Sequence, residues 1–167
     1  MRDIVETTGD AERGGRPHQH APFSIHEDRS VLDAISEMAR LGSHALVVVD
    51  DAGALSGIIT ERDYVAKVKV EGRASQDTQV AEVMTRTPWC ASLDYSLDDV
   101  LQVMTSYGFR HMPIVAGVGE PGGGRPGSLR PRCLGLLSIV DIMRTICQWP
   151  DRPMHWPDGK APMPGPL

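Results

Sequence analysis

Hydrophobic positions fall into two patterned blocks along the chain. In the first, Leu32, Ile35, Met38 and Ala39 recur at helical spacing and predict one apolar helix face. The pattern then tightens into the apolar run Ala45–Val49, which suits a short buried strand. A turn over 50–53 and a second apolar run over 55–59 predict an antiparallel partner. Thr60 then starts a closing helix over about 60–70. The second block repeats this order. Leu97, Val100, Leu101 and Met104 share a helix face, 112–115 and 134–137 read as strands, and Ser138 opens a closing helix over 138–147. The segment 78–85 (TQVAEVMT) reads as a short linking helix between the blocks.

Helix punctuation repeats along with the pattern. Ser30 and Ser96 are N-cap candidates with Asp33 and Asp99 three residues on, and Gly42 and Gly108 stand where a left-handed C-cap is wanted. Ser30 matches Ser96, Met38 matches Met104 and Gly42 matches Gly108 at a constant offset of 66. Further on, Gly57 matches Gly135, Thr60 matches Ser138 and Asp63 matches Asp141 at an offset of 78, so the second block carries a connection twelve residues longer. Such internal repetition predicts one supersecondary unit used twice around a shared core.

Composition limits what this unit can do. At 167 residues with 41% hydrophobic and 5% aromatic positions, the chain can bury an aliphatic core. A net charge of −5 argues against a nucleic-acid surface, which needs concentrated Lys and Arg. No apolar run reaches the ~18 residues needed to span a bilayer, and the N-terminus lacks the apolar core of a secretory signal. Cys90, Cys133 and Cys147 are odd in number without a C-x-x-C spacing, which predicts buried thiols in an intracellular reducing compartment. Residues 1–22 read as an irregular arm, 116–132 as a long Gly/Pro-rich loop, and 148–167 as a Pro-rich tail; six prolines and two tryptophans stand within 149–167. The remaining chain divides into a first repeat over 23–77 and a second over 78–147.

The signature Gly57-Ile58-Ile59-Thr60-Glu61-Arg62-Asp63, repeated as Gly135-Leu136-Leu137-Ser138-Ile139-Val140-Asp141, resembles that of tandem cystathionine-β-synthase (CBS) domains, the Bateman module. Val83-Met84-Thr85 resembles the opening of a second repeat, and Arg110-His111-Met112-Pro113-Ile114 the approach to its strand. The run GIITERDY is most similar to stand-alone two-repeat proteins of bacteria and plant organelles. The resemblance covers residues 23–147. The first repeat departs from it at its opening, where Ile4-Val5-Glu6-Thr7 is a poor copy set apart by an irregular insert.

The resemblance implies an α/β (α+β) fold, with two β-α-β-β-α repeats packed in pseudo-twofold symmetry and adenosine nucleotides bound in two clefts. It makes Asp63 and Asp141 ribose ligands, and Thr60 and Ser138 phosphate-side hydroxyls at helix starts. Strand residues, including Ala45, Leu46, Met112 and Pro113, would wall the base, with Arg62, Arg110 and His111 as phosphate partners. The bland alternative stands beside it: Thr-x-x-Asp and Ser-x-x-Asp are also capping boxes that need no ligand, as at Ser30 and Ser96. The function implied is a non-catalytic energy or redox sensor that requires no cofactor and takes AMP, ADP or ATP as regulatory ligand. Its implied associations are a homodimer and a thioredoxin-type redox partner, in the cytoplasm or the mitochondrial matrix. The rival is a structural subunit of a larger, mitochondrial assembly, docked through the arm and the tail around Trp149 and Trp156. Catalytic candidates are weak. The glycine run 122–124 lacks a following Gly-Lys-Ser/Thr, His18 and His20 sit in the arm, and Cys90 with His111 lacks the remainder of a nucleophile set.

Overall fold

Strand β1 (Ser24–His26) runs parallel to β2 (Ala45–Val49), and the helix α1 (Val31–Leu41) makes the crossover between them. The computed structural model describes residues 23–116 and 131–148. The 1–22 arm, most of the long loop, the Cys147 side chain and the tail from Trp149 lie outside the described residues. So do Ile4–Thr7, His18, His20 and the glycine run.

Sequence punctuation sets α1. The Ser30 hydroxyl accepts from the Asp33 amide at 3.1 Å while the Asp33 carboxylate accepts from the Ser30 amide at 3.3 Å. At the other end Gly42 takes φ +63°, in the left-handed region where L side chains are strained, and the chain turns into β2. The turn at 50–53 then returns the chain as β3 (Leu55–Thr60), antiparallel to β2. Thr60 caps α2 (Glu61–Tyr64), which widens into a π turn over Val65–Lys69 that buries Val68. The linking helix predicted over 78–85 is a single turn, α3 (Val80–Val83). Although it leads into the second block, Val80, Val83 and Met84 pack in the core of the first.

The second half repeats the plan with α4 (Leu97–Tyr107), β4 (His111–Val115), β5 (Cys133–Ser138) and α5 (Ile139–Gln148). Its first strand shrinks to one parallel bridge, Ala91 with Ile114, at the positions equivalent to Ile25 and Val48. Strand register is the same in both halves: Gly57 pairs Val48 and Gly135 pairs Ile114, with a bulge following at Val49 and at Val115. The fold is thus α+β, built from two repeats.

Alternation along the strands divides the core into three. Leu46, Val48 and Ile59 face the first half's helices, and Met112, Ile114 and Leu137 face the second's. The opposite sheet faces meet each other through equivalent pairs: Val49 with Val115, Leu55 with Cys133, and Ile58 with Leu136 all belong to one shared cluster. That equivalence is the pseudo-twofold relation expressed in packing. The Ala54–Arg132 bridge and the Leu55 amide bond to the Pro131 carbonyl at 3.0 Å also join the halves.

The helix face of α1 differs from the sequence expectation. Val31, Ala34 and Met38 are buried, whereas Leu32 is 49% exposed and Ala39 is also exposed. Among the described residues no helix is long and apolar enough to cross a membrane.

Candidate functional site

A cleft of about 400 Å3 opens where the two halves meet. The first half contributes Phe23 and the α1–β2 connection Leu41–His44; the second contributes Arg110, His111, Leu136 and the start of α5 with Arg144. Main-chain bonds hold this junction in shape. The Ile139 amide donates to the Arg110 carbonyl at 2.9 Å, and at the equivalent place the Glu61 amide donates to the His44 carbonyl at 3.2 Å.

Ser138 and Asp141 form a capping box on the cleft wall. The Ser138 hydroxyl donates to Asp141 Oδ2 at 2.7 Å, the Ser138 amide donates to the same oxygen at 3.2 Å, and the Asp141 amide donates back to the hydroxyl at 3.2 Å. One carboxylate oxygen is thereby committed to the backbone. The other, Oδ1, lies 3.9 Å from Arg144 Nη1 on a side chain that is 72% exposed. Such a long pair on a solvated arginine holds the carboxylate weakly, so Oδ1 can still accept from a ligand hydroxyl.

Charge in the cleft comes from both signs. Arg110 and Arg144 supply fixed positive charge, and His44 Nδ1 is held at 2.9 Å by Glu61. Burial is the main cause holding His111 below its ordinary imidazole value, with His44 and Arg110 acting the same way and Asp141 and Glu61 opposing them. A neutral His111 beside two arginines offers an anion hydrogen bonding without a desolvated charge.

Of the residues singled out in the sequence, Arg110, His111, Ser138 and Asp141 come together at this cleft. Thr60, Arg62 and Asp63 do not line it; they sit at the pseudo-symmetric position, with Arg62 exposed. The side chains of Met112 and Leu46, expected to wall a base, do not line the cleft. Both side chains point into the helix-covered cores, because strand alternation turns them away from the junction. Pro113 is buried and does not line the cleft either. Phe23, His44 and Arg144 were not anticipated, although His44 occupies the position equivalent to Arg110 and repeat symmetry nominates it.

Two other features carry less. His26 lies near Asp28 and Asp51, but its Nδ1 accepts the Asp28 amide at 3.2 Å and its Nε2 meets Asp51 at 3.0 Å, so both nitrogens are engaged within the protein. Cys90 and Cys133 are free and buried; burial and the neighbouring Cys133 push the Cys90 thiol up to about 12, and burial pushes Cys133 up to about 11. Thiols held protonated in this way are poor nucleophiles.

Two β-α-β-β-α repeats that share a core and open a cleft at their junction define a tandem-repeat regulatory module. The CBS domain family profile matches residues 18–69 and again 80–147, and the chain belongs to that family. It is 33% identical over 123 residues to the mitochondrial CBS domain-containing protein CBSX3 of Arabidopsis thaliana, a match covering 71% of this chain and 53% of that protein. The chain thus spans about half the length of that relative. A CBS-domain protein from Burkholderia ambifaria shares the fold with a TM-score of 0.68 at 28% identity, over 92% of this chain and 97% of that one. The CBS domain pair of protein MJ0100, solved with 5′-methylthioadenosine and S-adenosyl-L-methionine, gives a TM-score of 0.60 at 27% identity, over 75% of this chain and 92% of that one.

Proposed function

We propose that the chain is a non-catalytic sensor that binds an adenosine nucleotide at the junction cleft and passes the binding event to a partner protein. The observation that carries this reading is the meeting of Ser138, Asp141, Arg110 and His111 around about 400 Å3 of open volume. That size falls within the range of about 300–1,000 Å3 usual for small-molecule sites. In this reading Asp141 Oδ1 accepts from the ribose, the start of α5 and Arg110 face the phosphates, and Phe23 and Leu41 flank the base. Thr60, Arg62 and Asp63 form the equivalent set in the first repeat, with repeats over 23–77 and 78–147. The adenosyl ligands in the MJ0100 pair support this choice of ligand class.

Because the cleft draws on both halves, a bound ligand touches both. Ligands of different phosphate length then favour different relative orientations, and that differential affinity is what moves a partner's equilibrium. The exposed apolar residues Val140 and Met143 of α5 offer a surface for a homodimer or a partner subunit. The mitochondrial name of CBSX3 supports a mitochondrial setting over the cytoplasm; a thioredoxin-type partner rests on the family resemblance alone.

The test is calorimetric titration of the purified chain with AMP, ADP and ATP, beside Asp141→Ala. Saturable binding that disappears in the variant is expected. A folded chain that binds none of the three nucleotides favours the structural-subunit reading, docked through the arm and the tail around Trp149 and Trp156.

A further inference from the structure

The pseudo-twofold relation implies a second cleft at the first repeat, and the residues there differ in a consistent direction. Phe23 and Leu41, which line the open cleft, correspond to Trp89 and Tyr107, whose rings pack at a 33° tilt with centroids 4.7 Å apart. Larger side chains therefore stand where the open cleft has room.

The two aspartates also differ. Asp63 commits Oδ2 to its cap as Asp141 does, accepting from the Thr60 hydroxyl at 2.6 Å and the Thr60 amide at 2.9 Å. Its Oδ1, however, receives the ammonium of Lys67 at 2.6 Å. The same Nζ donates to the Val83 carbonyl at 2.6 Å. Thr145 occupies the position equivalent to Lys67, and its hydroxyl donates to the Asp141 main-chain carbonyl at 3.0 Å instead of the carboxylate. The Asp63 side chain is 12% exposed, against 25% for Asp141.

We propose that Lys67 is an internal occupant of the first repeat's ligand position, so that the chain binds one nucleotide per pair, at Asp141. This rests on the nucleotide reading given above. A charge-assisted bond at 2.6 Å on a mostly buried carboxylate is stronger than the bond a neutral ribose hydroxyl makes to the same oxygen. A ligand at Asp63 must displace Lys67 from both acceptors. The bond to Val83 adds a structural role, since it fastens the end of α3 to the π turn that follows α2.

The experiment is calorimetric stoichiometry for AMP, ADP, ATP and S-adenosylmethionine, with wild type, Lys67→Ala, Lys67→Gln and Asp141→Ala. Thermal unfolding run in parallel confirms that each variant folds, and Lys67→Gln retains the side-chain bulk if Lys67→Ala does not fold. Wild type is expected to bind one equivalent, which Asp141→Ala abolishes. The Lys67 variants are expected to bind a second equivalent, which survives when Asp141→Ala is added to them. Two equivalents on wild type, or a single one on both Lys67 variants, overturns the closure and leaves nucleotide binding standing. No binding by wild type or any variant overturns the nucleotide reading and this inference with it.

Discussion

The amide of Ile139 donates to the carbonyl of Arg110 at 2.9 Å, tying the first turn of α5 to the residue before β4. This bond fixes Ser138 and Asp141 against the same wall that carries Arg110 and His111. The cap and the candidate site are therefore one structure, and a cap mutation reads on both.

Ser138→Ala removes the acceptor for the Asp141 amide and is expected to cost about 1 kcal/mol of folding stability. Ser96→Ala removes the equivalent acceptor for the Asp99 amide, 3.1 Å away, and is expected to cost about the same. Only Ser138 lines the cleft, so nucleotide affinity should fall in the first variant and hold in the second. Urea titration and calorimetry on both proteins check this; equal loss of affinity in the two would reduce the site to a helix cap.

Gly57 is required for a packing reason. A Cβ there would lie 2.7 Å from Met84 Sδ and 2.7 Å from the Thr85 carbonyl. The Ile58 and Thr85 amides each bond the other's carbonyl, at 3.0 and 2.8 Å, so the backbone cannot move away without losing both bonds. Gly57→Ala is expected to destabilise by about 1–3 kcal/mol, as overpacking does. Adding Met84→Ala should not restore stability, because the second clash is with main chain. Full rescue in a urea titration would show that Met84 alone sets the limit.

The buried face of α1 gives a third test. Met38→Ala opens a void in the first core and is expected to cost about 2–5 kcal/mol. Leu32→Ala, on a half-exposed side chain, is expected to cost under about 1 kcal/mol if this face is free in solution. A large loss at Leu32 would instead identify it as part of an interface, and sedimentation of the variant would show the change in assembly.

The repeat offsets made the strand pairings legible, because equivalent residues must keep the same register to bury the same face. The α1 face was not legible in the same way. Val31, Ala34 and Met38 fit helical spacing as well as Leu32, Ile35 and Ala39, and only the position of the sheet decides between them. The aspartates were visible as signatures, and the first repeat's departure from the pattern at Ile4–Thr7 already favoured Asp141 over Asp63; the contacts that make them unequal were not visible. Sequence shows Asp63 and Lys67 one helical turn apart; it does not show that the lysine also reaches Val83, sixteen residues on. Likewise the cleft belongs to residues from both repeats, and Phe23 and Arg144 carry no local signal that pairs them.

His111 supplies the pH dependence. Burial first, then His44 and Arg110, hold its imidazole below the ordinary value of 6.5, while Asp141 and Glu61 pull it upward. The unfolded chain therefore takes up this proton at a higher pH than the folded chain. The resulting stability is fully present above about pH 6.5 and is lost as the pH falls from there through the lower folded value. His111→Asn should flatten this part of the profile, so that its urea midpoint falls less than wild type's between neutral and mildly acidic pH. A bound phosphate group beside His111 reverses the balance, since a negative charge favours the imidazolium. Nucleotide binding near pH 6 should then draw protons from the buffer, which calorimetry in buffers of different ionisation heat measures directly. Proton uptake lost in His111→Asn places the phosphates at His111; unchanged uptake in that variant places them elsewhere in the cleft.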